Sequence, residues 1–174
     1  EAKERTSKLL ASWSQNRRPA TQPFFEDQNL AIYGNSAATD LADVLRDLIA
    51  RSEKYLAIMA YLNRESDGEI LQLREAIAKK KDIGITFGWG PRFLHSTGQF
   101  HKGGASNGGF LQITAESAAD IEIPGKDFSF SDLFTAQALG DGEALSSRDL
   151  PVVRIHLKNR TSGIKRLLEA VAEI

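Results

Sequence analysis

The residues best suited to chemistry are concentrated in one glycine-rich stretch, residues 88–109. It holds seven glycines and two of the three histidines of the chain, His95 and His101. Histidine can transfer protons near neutral pH, and glycines let backbone amide groups come close to an anion. On composition alone, a solvated flexible loop is an equally good interpretation, because glycine and histidine in a loop are a weak signal.

A metal site in this stretch is disfavoured. His95 and Gln99 are four residues apart and would project from one face of a helix. A third ligand is missing, because the chain contains no cysteine and the stretch holds no carboxylate. We therefore predict neither a metal nor another cofactor.

Five short apolar runs predict the strands that would position these residues. Each run is nearly continuous in apolar side chains, which is typical of parallel strands buried on both faces. The runs are Leu30–Tyr33, Tyr55–Tyr61, Ile83–Phe87, Phe110–Thr114 and Val152–Leu157.

Apolar residues at helical spacing predict helices between and around the strands. They cover residues 1–15, 41–49, 70–77, 130–139, 142–147 and 161 onward. Ser36 or Thr39 is available to cap the second helix, and the run Lys79–Lys81 suits the C-terminus of the third.

Strands that alternate with helices predict the α/β class, as a three-layer α/β/α sandwich with a five-stranded, mostly parallel, doubly wound sheet. In such a sheet, functional groups gather beyond the carboxyl ends of the strands. The glycine-rich stretch follows the third predicted strand directly. We expect residues 1–28 to form a helix and linker, and residues 29–174 to form the domain.

Composition and charge narrow the class of protein. The net charge is −1, from 22 basic and 23 acidic side chains, so nothing predicts a nucleic-acid partner. No apolar run is long enough to span a bilayer, and we expect no membrane partner. The absence of cysteine permits a reducing compartment, and we expect a cytoplasmic protein. Because the chain opens at Glu1 within a helical pattern, we expect it to be part of a longer protein.

The segment from Gly90 to Gly104 resembles the phosphoglucose isomerase family. His95, Gln99 and Gly104 stand at the first, fifth and tenth positions of a run that those enzymes share. The whole segment from Gly90 to Gly104 is similar to the corresponding motif of bifunctional transaldolase/phosphoglucose isomerases. Weaker matches to these enzymes extend in the same order along the chain, over residues 30 to 160. The resemblance implies a sugar isomerase (SIS-like) fold, and it implies that the chain is a C-terminal isomerase domain.

The resemblance also implies a catalytic pair. Glu65, in the run Glu65–Gly68, matches the family glutamate and lies thirty residues before His95. The family uses the carboxylate to move a proton between C1 and C2 of the open-chain sugar, and the histidine to open the sugar ring. The alternative for Glu65 is a carboxylate at the start of a helix, beside a capping residue.

Further roles follow from the same resemblance. The implied substrate-binding residues are Arg92, Ser96, Thr97, Gln99, His101 and Lys102. Arg92 could stabilise the enediolate, although the family arginine usually comes from the preceding domain, and a surface arginine is an equal alternative. Lys165 is the nearest match to the family's C-terminal catalytic lysine, but its spacing differs, and a solvated lysine on an amphipathic helix is the alternative.

Other polar residues have no implied catalytic role. The segment 34–39 superficially resembles a phosphate cradle, for which a plain helix cap is the alternative. Gln137 and Asp141 could line the cleft. His156, within the last predicted strand, is expected to be a hydrogen-bonded core histidine.

The sequence thus predicts an enzyme part that interconverts glucose 6-phosphate and fructose 6-phosphate through an enediolate. Its expected partners are the sugar phosphate, a missing N-terminal isomerase domain, a transaldolase domain if the chain is of the bifunctional form, and a second copy in a homodimer. We expect the isolated domain to be inactive. The alternative is a sugar-phosphate-binding or structural SIS domain that does not catalyse.

Overall fold

The computed structural model describes residues 2–15, 21–117 and 119–174. These residues form a six-stranded sheet with strand order β1-β2-β6-β5-β3-β4. The strands are β1 (Phe25–Glu26), β2 (Leu30–Gly34), β3 (Tyr55–Tyr61), β4 (Gly84–Trp89), β5 (Gly108–Ala115) and β6 (Val152–Leu157). The four strands from β3 to β6 are mutually parallel, whereas β1 and β2 are antiparallel to their neighbours.

Six α-helices accompany the sheet in the described ranges. They are α1 (Ala2–Gln15), α2 (Leu41–Arg51), α3 (Gln72–Ala78), α4 (Thr97–Gly103), α5 (Phe130–Ser146) and α6 (Arg160–Glu173). Short 3-10 helices, Gly68–Leu71 and Arg92–His95, lead into α3 and towards α4. Helices α2, α3 and α6 pack together on one face of the sheet, and α1 and α4 pack against α5 on the other. The predicted α/β/α sandwich is confirmed.

The sheet differs from the prediction in two respects. It has six strands, because Phe25 and Glu26, which the sequence assigned to a linker, pair with β2. The first predicted strand, now β2, is antiparallel to β6, with Gly34 opposite Val153. The segment 34–39 therefore leaves the sheet at the edge where the parallel strands begin, opposite to the edge where Tyr61 and Trp89 end β3 and β4.

The two faces of the sheet have different cores. The face under α2, α3 and α6 is the larger apolar core, and β-strand residues such as Ile58, Leu111 and Ile155 contribute to it. The other face has a smaller core that includes Phe93 and Leu94. Burial of these side chains is the main stabilising contribution to both layers.

The helices differ from the prediction in three ways: the cap of α2, the continuity of α5 and the role of the lysine run after α3. Asp40, and neither Ser36 nor Thr39, caps α2 by accepting a hydrogen bond from the Asp43 N–H at 2.8 Å. Helix α5 is continuous where two helices were predicted. Its Gly142 lies against Gln112 of β5, where a Cβ would come within 3.2 Å of the amide oxygen. This close packing against the sheet offsets the low helix propensity of glycine.

The third difference concerns the lysine run after α3. The Nζ of Lys81 donates hydrogen bonds to the carbonyls of Ile49, Ala50 and Ser52, at 3.1, 3.0 and 2.7 Å. Lys81 thus satisfies carbonyls at the C-terminus of α2, a neighbouring helix, instead of those of its own helix.

Within the ranges described, none of the helices combines the length and apolarity that crossing a membrane requires. Helix α1 packs on α5, and residues 25–26 join the sheet, so the described parts of residues 1–28 contact the rest of the fold. The domain boundary at residue 28 stays a prediction.

Candidate active site

His95 is placed by the short segment that joins β4 to α4. The chain leaves β4 at Trp89, passes a cis Gly90–Pro91 peptide bond and forms the 3-10 helix Arg92–His95. Phe93 and Leu94 are buried in the smaller core, while Arg92 and His95 are exposed. The two apolar side chains therefore anchor the segment, and the two basic side chains remain at the surface.

Glycines allow this segment to pack tightly. A Cβ on Gly98 would lie 2.9 Å from the carbonyl oxygen of Phe93. A Cβ on Gly90 would lie 2.6 Å from the ring of Tyr61. Several glycines of the stretch thus serve close packing, which is a different role from the anion binding that the sequence suggested.

A cavity of about 510 Å³ lies beside His95. Helices α1, α4 and α5 and the 3-10 helix before α4 contribute its walls. It is lined by Thr6, Ser7, Leu10, Leu94, His95, Gln99, Lys102, Gly103, Leu133, Gln137 and Arg148. Three of the predicted site residues, His95, Gln99 and Lys102, therefore lie together here, and Gln137 lies with them. Sequence reasoning missed Arg148 and the α1 residues, because nothing in their local pattern distinguishes them from ordinary surface polar groups.

A buried ion pair forms part of this wall. The Nζ of Lys102 on α4 donates to Oδ1 of Asp141 on α5, and their side chains are 8% and 1% exposed. Burial raises the pKa of Asp141, and the hydrogen bond and charge of Lys102 oppose that rise. Burial and then the Asp141 charge raise the pKa of Tyr61 well above its usual value. The pair ties α4 to α5, so Lys102 is committed to Asp141 and is only partly available to a ligand.

Gln99 is also engaged within its own segment. Its amide nitrogen donates to the Leu94 carbonyl at 2.7 Å. Ser96 similarly donates its hydroxyl to the Phe93 carbonyl at 3.3 Å. Both side chains stabilise the entry into α4, which fixes the position of His95.

His101 does not line the cavity beside His95. It is buried, its ring stacks on Tyr55, and its Nδ1 lies 3.2 Å from the Tyr55 hydroxyl. Burial, with a smaller effect of the Lys102 charge, lowers the pKa of His101 to about 4. The imidazole is therefore neutral at pH 7. His101 and Thr97 line a separate apolar cavity of about 360 Å³ against β4.

Glu65 lies in the turn after β3. The Asn63 side chain accepts hydrogen bonds from the backbone N–H groups of Glu65 and Ser66, at 2.9 and 3.4 Å. Glu65 is exposed and lines neither the cavity beside His95 nor the one beside His101. The buried carboxylate of this turn is Asp67, which pairs with Arg160 of α6.

Glu65 and His95 follow neighbouring strands. Strands β3 and β4 are adjacent and parallel, with Ala60 opposite Trp89 at their carboxyl ends. Glu65 comes four residues after the end of β3, and His95 comes six residues after the end of β4. The two residues thus follow the carboxyl ends of adjacent strands, at the same edge of the sheet.

Lys165 does not lie near His95. It is on α6, which packs on α2 and α3 across the sheet from α4 and α5. Its Nζ lies 3.9 Å from Glu169 on the same helix, and its side chain is exposed. Within this chain, the structure supports the interpretation as a solvated helix lysine.

The described residues contain no group of three or more His, Asp or Glu side chains arranged to hold a metal ion. Near His95, an exposed imidazole suited to acid/base transfer lies beside the amide groups of Gln99 and Gln137 and the basic side chains of Lys102 and Arg148.

Comparison with known proteins supports the fold. No protein-family model matches the chain, and no curated protein sequence matches it. Among solved structures, the chain is similar to a hypothetical protein from Thermus thermophilus, with 18% sequence identity and a TM-score of 0.59. The match covers 75% of this chain and 36% of the Thermus chain. At this identity the likeness shows a shared α/β fold alone.

Proposed function

We propose that this chain is the second isomerase domain of a glucose-6-phosphate isomerase. The observation that carries the proposal is the departure of Glu65 and His95 from the carboxyl ends of two adjacent parallel strands. This is the edge at which α/β sheets place their ligands. The similarity of the run from Gly90 to Gly104 to the family motif supplies the reaction type.

The proposed reaction divides the work between the two residues. His95 opens the cyclic sugar by donating a proton to the ring oxygen while the C1 hydroxyl loses its proton. The Glu65 carboxylate then removes the proton from C2, which leaves an enediolate, and returns a proton to C1. The hydroxyl proton of O2 moves to O1 in the same conversion, so the aldose carbonyl at C1 becomes a ketose carbonyl at C2 and no oxidant is required.

Positive charge near the enediolate would lower the barrier. Arg92 is exposed on the same 3-10 helix as His95 and is the nearest cation in sequence to the proposed site. Lys165 is separated from His95 by the sheet, so the catalytic lysine of this proposal comes from outside this chain. The phosphate-binding loop also comes from elsewhere, because segment 34–39 leaves the opposite edge of the sheet.

The test is isomerase activity of the longer protein that carries this domain, compared between the unmodified form and single variants. We expect Glu65→Gln and His95→Ala to lower kcat by about 10²–10⁴-fold, because each removes a proton-transfer group. Glu69→Gln, an exposed carboxylate on the next turn, is the matched control and should keep full activity. Unchanged turnover in Glu65→Gln would refute the assignment. The 174-residue chain alone should show little or no turnover.

A sugar-phosphate-binding domain without catalysis is the second candidate. Two observations favour it: Glu65 lies outside the cavity beside His95, and Lys165 lies on the opposite layer. Under this alternative, the longer protein binds fructose 6-phosphate but does not convert it. The same assay, combined with calorimetric binding of fructose 6-phosphate, separates the two candidates.

A further inference from the structure

A polar stripe of Tyr33, Arg154 and His156 crosses one face of the sheet. Val153, Ile155 and Leu157 of β6 point into the larger apolar core. The alternate residues Arg154 and His156 therefore face the α1 and α5 side. Arg154 is paired in register with Tyr33 of β2 and Gln112 of β5.

This stripe forms the floor of a cavity of about 470 Å³. Its walls come from α1, α5 and the segment after β5, and its residues are distinct from those lining the cavity beside His95. Aromatic side chains that line it include Trp13, Tyr33, Tyr61 and Phe134, and hydroxyl groups come from Thr114, Ser117, Ser131 and Thr135. The volume suits a small molecule.

Arg154 is the cation of this cavity. Its guanidinium carbon lies 3.7 Å from the centre of the Tyr33 ring. Among the residues described, no carboxylate lies within ion-pair distance of it, and its close electrostatic partner is Tyr33. Burial lowers the pKa of Arg154, although a guanidinium remains charged at neutral pH. A partly buried guanidinium with donors to spare is a ready site for a planar or tetrahedral oxyanion.

Hydrogen-bond acceptors surround the entrance. His156 is held between the Thr114 hydroxyl, 3.0 Å from its Nδ1, and the Glu116 carboxylate, 3.2 Å from its Nε2. It is hydrogen-bonded as predicted, but it is not a core residue, because its side chain is 21% exposed and lines this cavity. Glu116, Asp120 and Glu143 are exposed residues that line the same cavity. The cavity therefore combines a cation at its floor with carboxylates nearer to solvent.

We propose that this cavity binds a small oxyanion, a carboxylate or a phosphate ester, whose acidic group pairs with Arg154. The body of such a ligand packs on the aromatic walls, and hydroxyl or ammonium groups on it donate to the carboxylates near the entrance. This is a second site, independent of the isomerase proposal. Within the described ranges, its lining and that of the cavity beside His95 have no residue in common.

Trp13 provides the readout. The chain has two tryptophans, and only Trp13 lines this cavity. In a Trp89→Phe background, the 174-residue chain is titrated with phenyl phosphate, benzoate and uncharged phenol, and Trp13 fluorescence is followed. We expect saturable binding of at least one anion and a clear preference for it over phenol. The anion that binds more tightly identifies the ligand class.

Two variants test the geometry. Arg154→Gln should weaken binding of the preferred anion about tenfold or more, because it removes the charged donor. Thr135→Phe fills the cavity from α5, leaves Arg154 in place, and should also abolish binding. Arg46→Gln, an exposed arginine on α2, is the control for net charge and should bind as the parent does.

The proposal is wrong if neither phenyl phosphate nor benzoate shows saturable binding. It is also wrong if Arg154→Gln and Thr135→Phe, both folded by circular dichroism, bind as tightly as the parent. If Arg154→Gln does not fold, Thr135→Phe alone decides. Retention of the fluorescence change in His95→Ala shows that binding is separate from the isomerase site.

Discussion

At the scale of single residues, His101 makes stability depend on pH. Its imidazole is buried against Tyr55, and its pKa is lowered from 6.5 to about 4. As the pH falls from about 6.5 to about 4, His101 becomes protonated in the unfolded chain but stays neutral in the folded chain. The free energy of unfolding therefore decreases over this range. Below pH 4 both states are protonated and this contribution no longer changes.

The expected loss is on the order of 1–2 kcal/mol, after discounting for the partial solvent contact of the ring. Urea unfolding of the parent and of His101→Phe at about pH 7.5 and about pH 4.5 measures it. The difference between the two pH values should be smaller in His101→Phe, whereas His95→Phe, which removes an exposed histidine of the same segment, should keep it. Equal pH dependence in the parent and His101→Phe would contradict the assignment.

Residue types alone did not reveal these roles. His95 and His101 lie in one run and look equivalent in sequence, yet His95 is exposed and His101 is a neutral packing residue. The difference arises from contacts of His101 with Tyr55 of β3, 46 residues earlier in the chain, and with Phe110 of β5. The same holds for Lys102, whose partner Asp141 lies on another helix.

At the scale of elements, Gly98 tests how α4 is joined to the 3-10 helix before it. A Cβ at Gly98 would lie 2.9 Å from the Phe93 carbonyl oxygen, whereas a Cβ at Gly103 would meet nothing within 4 Å. We expect Gly98→Ala to lower the free energy of unfolding by about 1–3 kcal/mol through overpacking. Gly103→Ala, in the same helix, should change it by less than about 1 kcal/mol. Urea unfolding at neutral pH measures both, and equal stability of the two variants would contradict this packing.

Most elements could be predicted because their apolar pattern is local. Strands β3 and β5 are buried runs, and α2 and α6 show clear helical periodicity. Strand β4 was predicted to be buried on both faces, but it lies at the edge of the sheet and has no buried residue. The direction of β2 could not be predicted, since the pattern of a short buried strand is the same in either direction. Two helices were predicted in place of α5 because glycine usually interrupts a helix. The packing of Gly142 against Gln112, which favours a glycine within the helix, is not visible in the sequence.

At the scale of the whole molecule, strand order decides which predicted residues can meet. Because β3 and β4 are neighbours and parallel, Glu65 and His95 share an edge. Because α6 lies across the sheet from α4, Lys165 cannot join them within this chain. From the sequence one could find the His95 run and expect ligand groups at the carboxyl ends of the strands. The Arg154 cavity could not be found, because its lining residues come from β2, β3, β5, β6, α1 and α5.

The central claim is that Glu65 transfers a proton between C1 and C2 of the sugar. The most direct measurement uses the longer protein that carries this domain to convert fructose 6-phosphate in D₂O. Proton NMR monitors the loss of the C2 proton signal of the glucose 6-phosphate formed. We predict deuterium at C2 with the unmodified protein, because the shuttle group exchanges with solvent, and at least about a hundredfold slower labelling with Glu65→Gln. Labelling at the same rate in Glu65→Gln, or no conversion by the unmodified protein, would contradict this role.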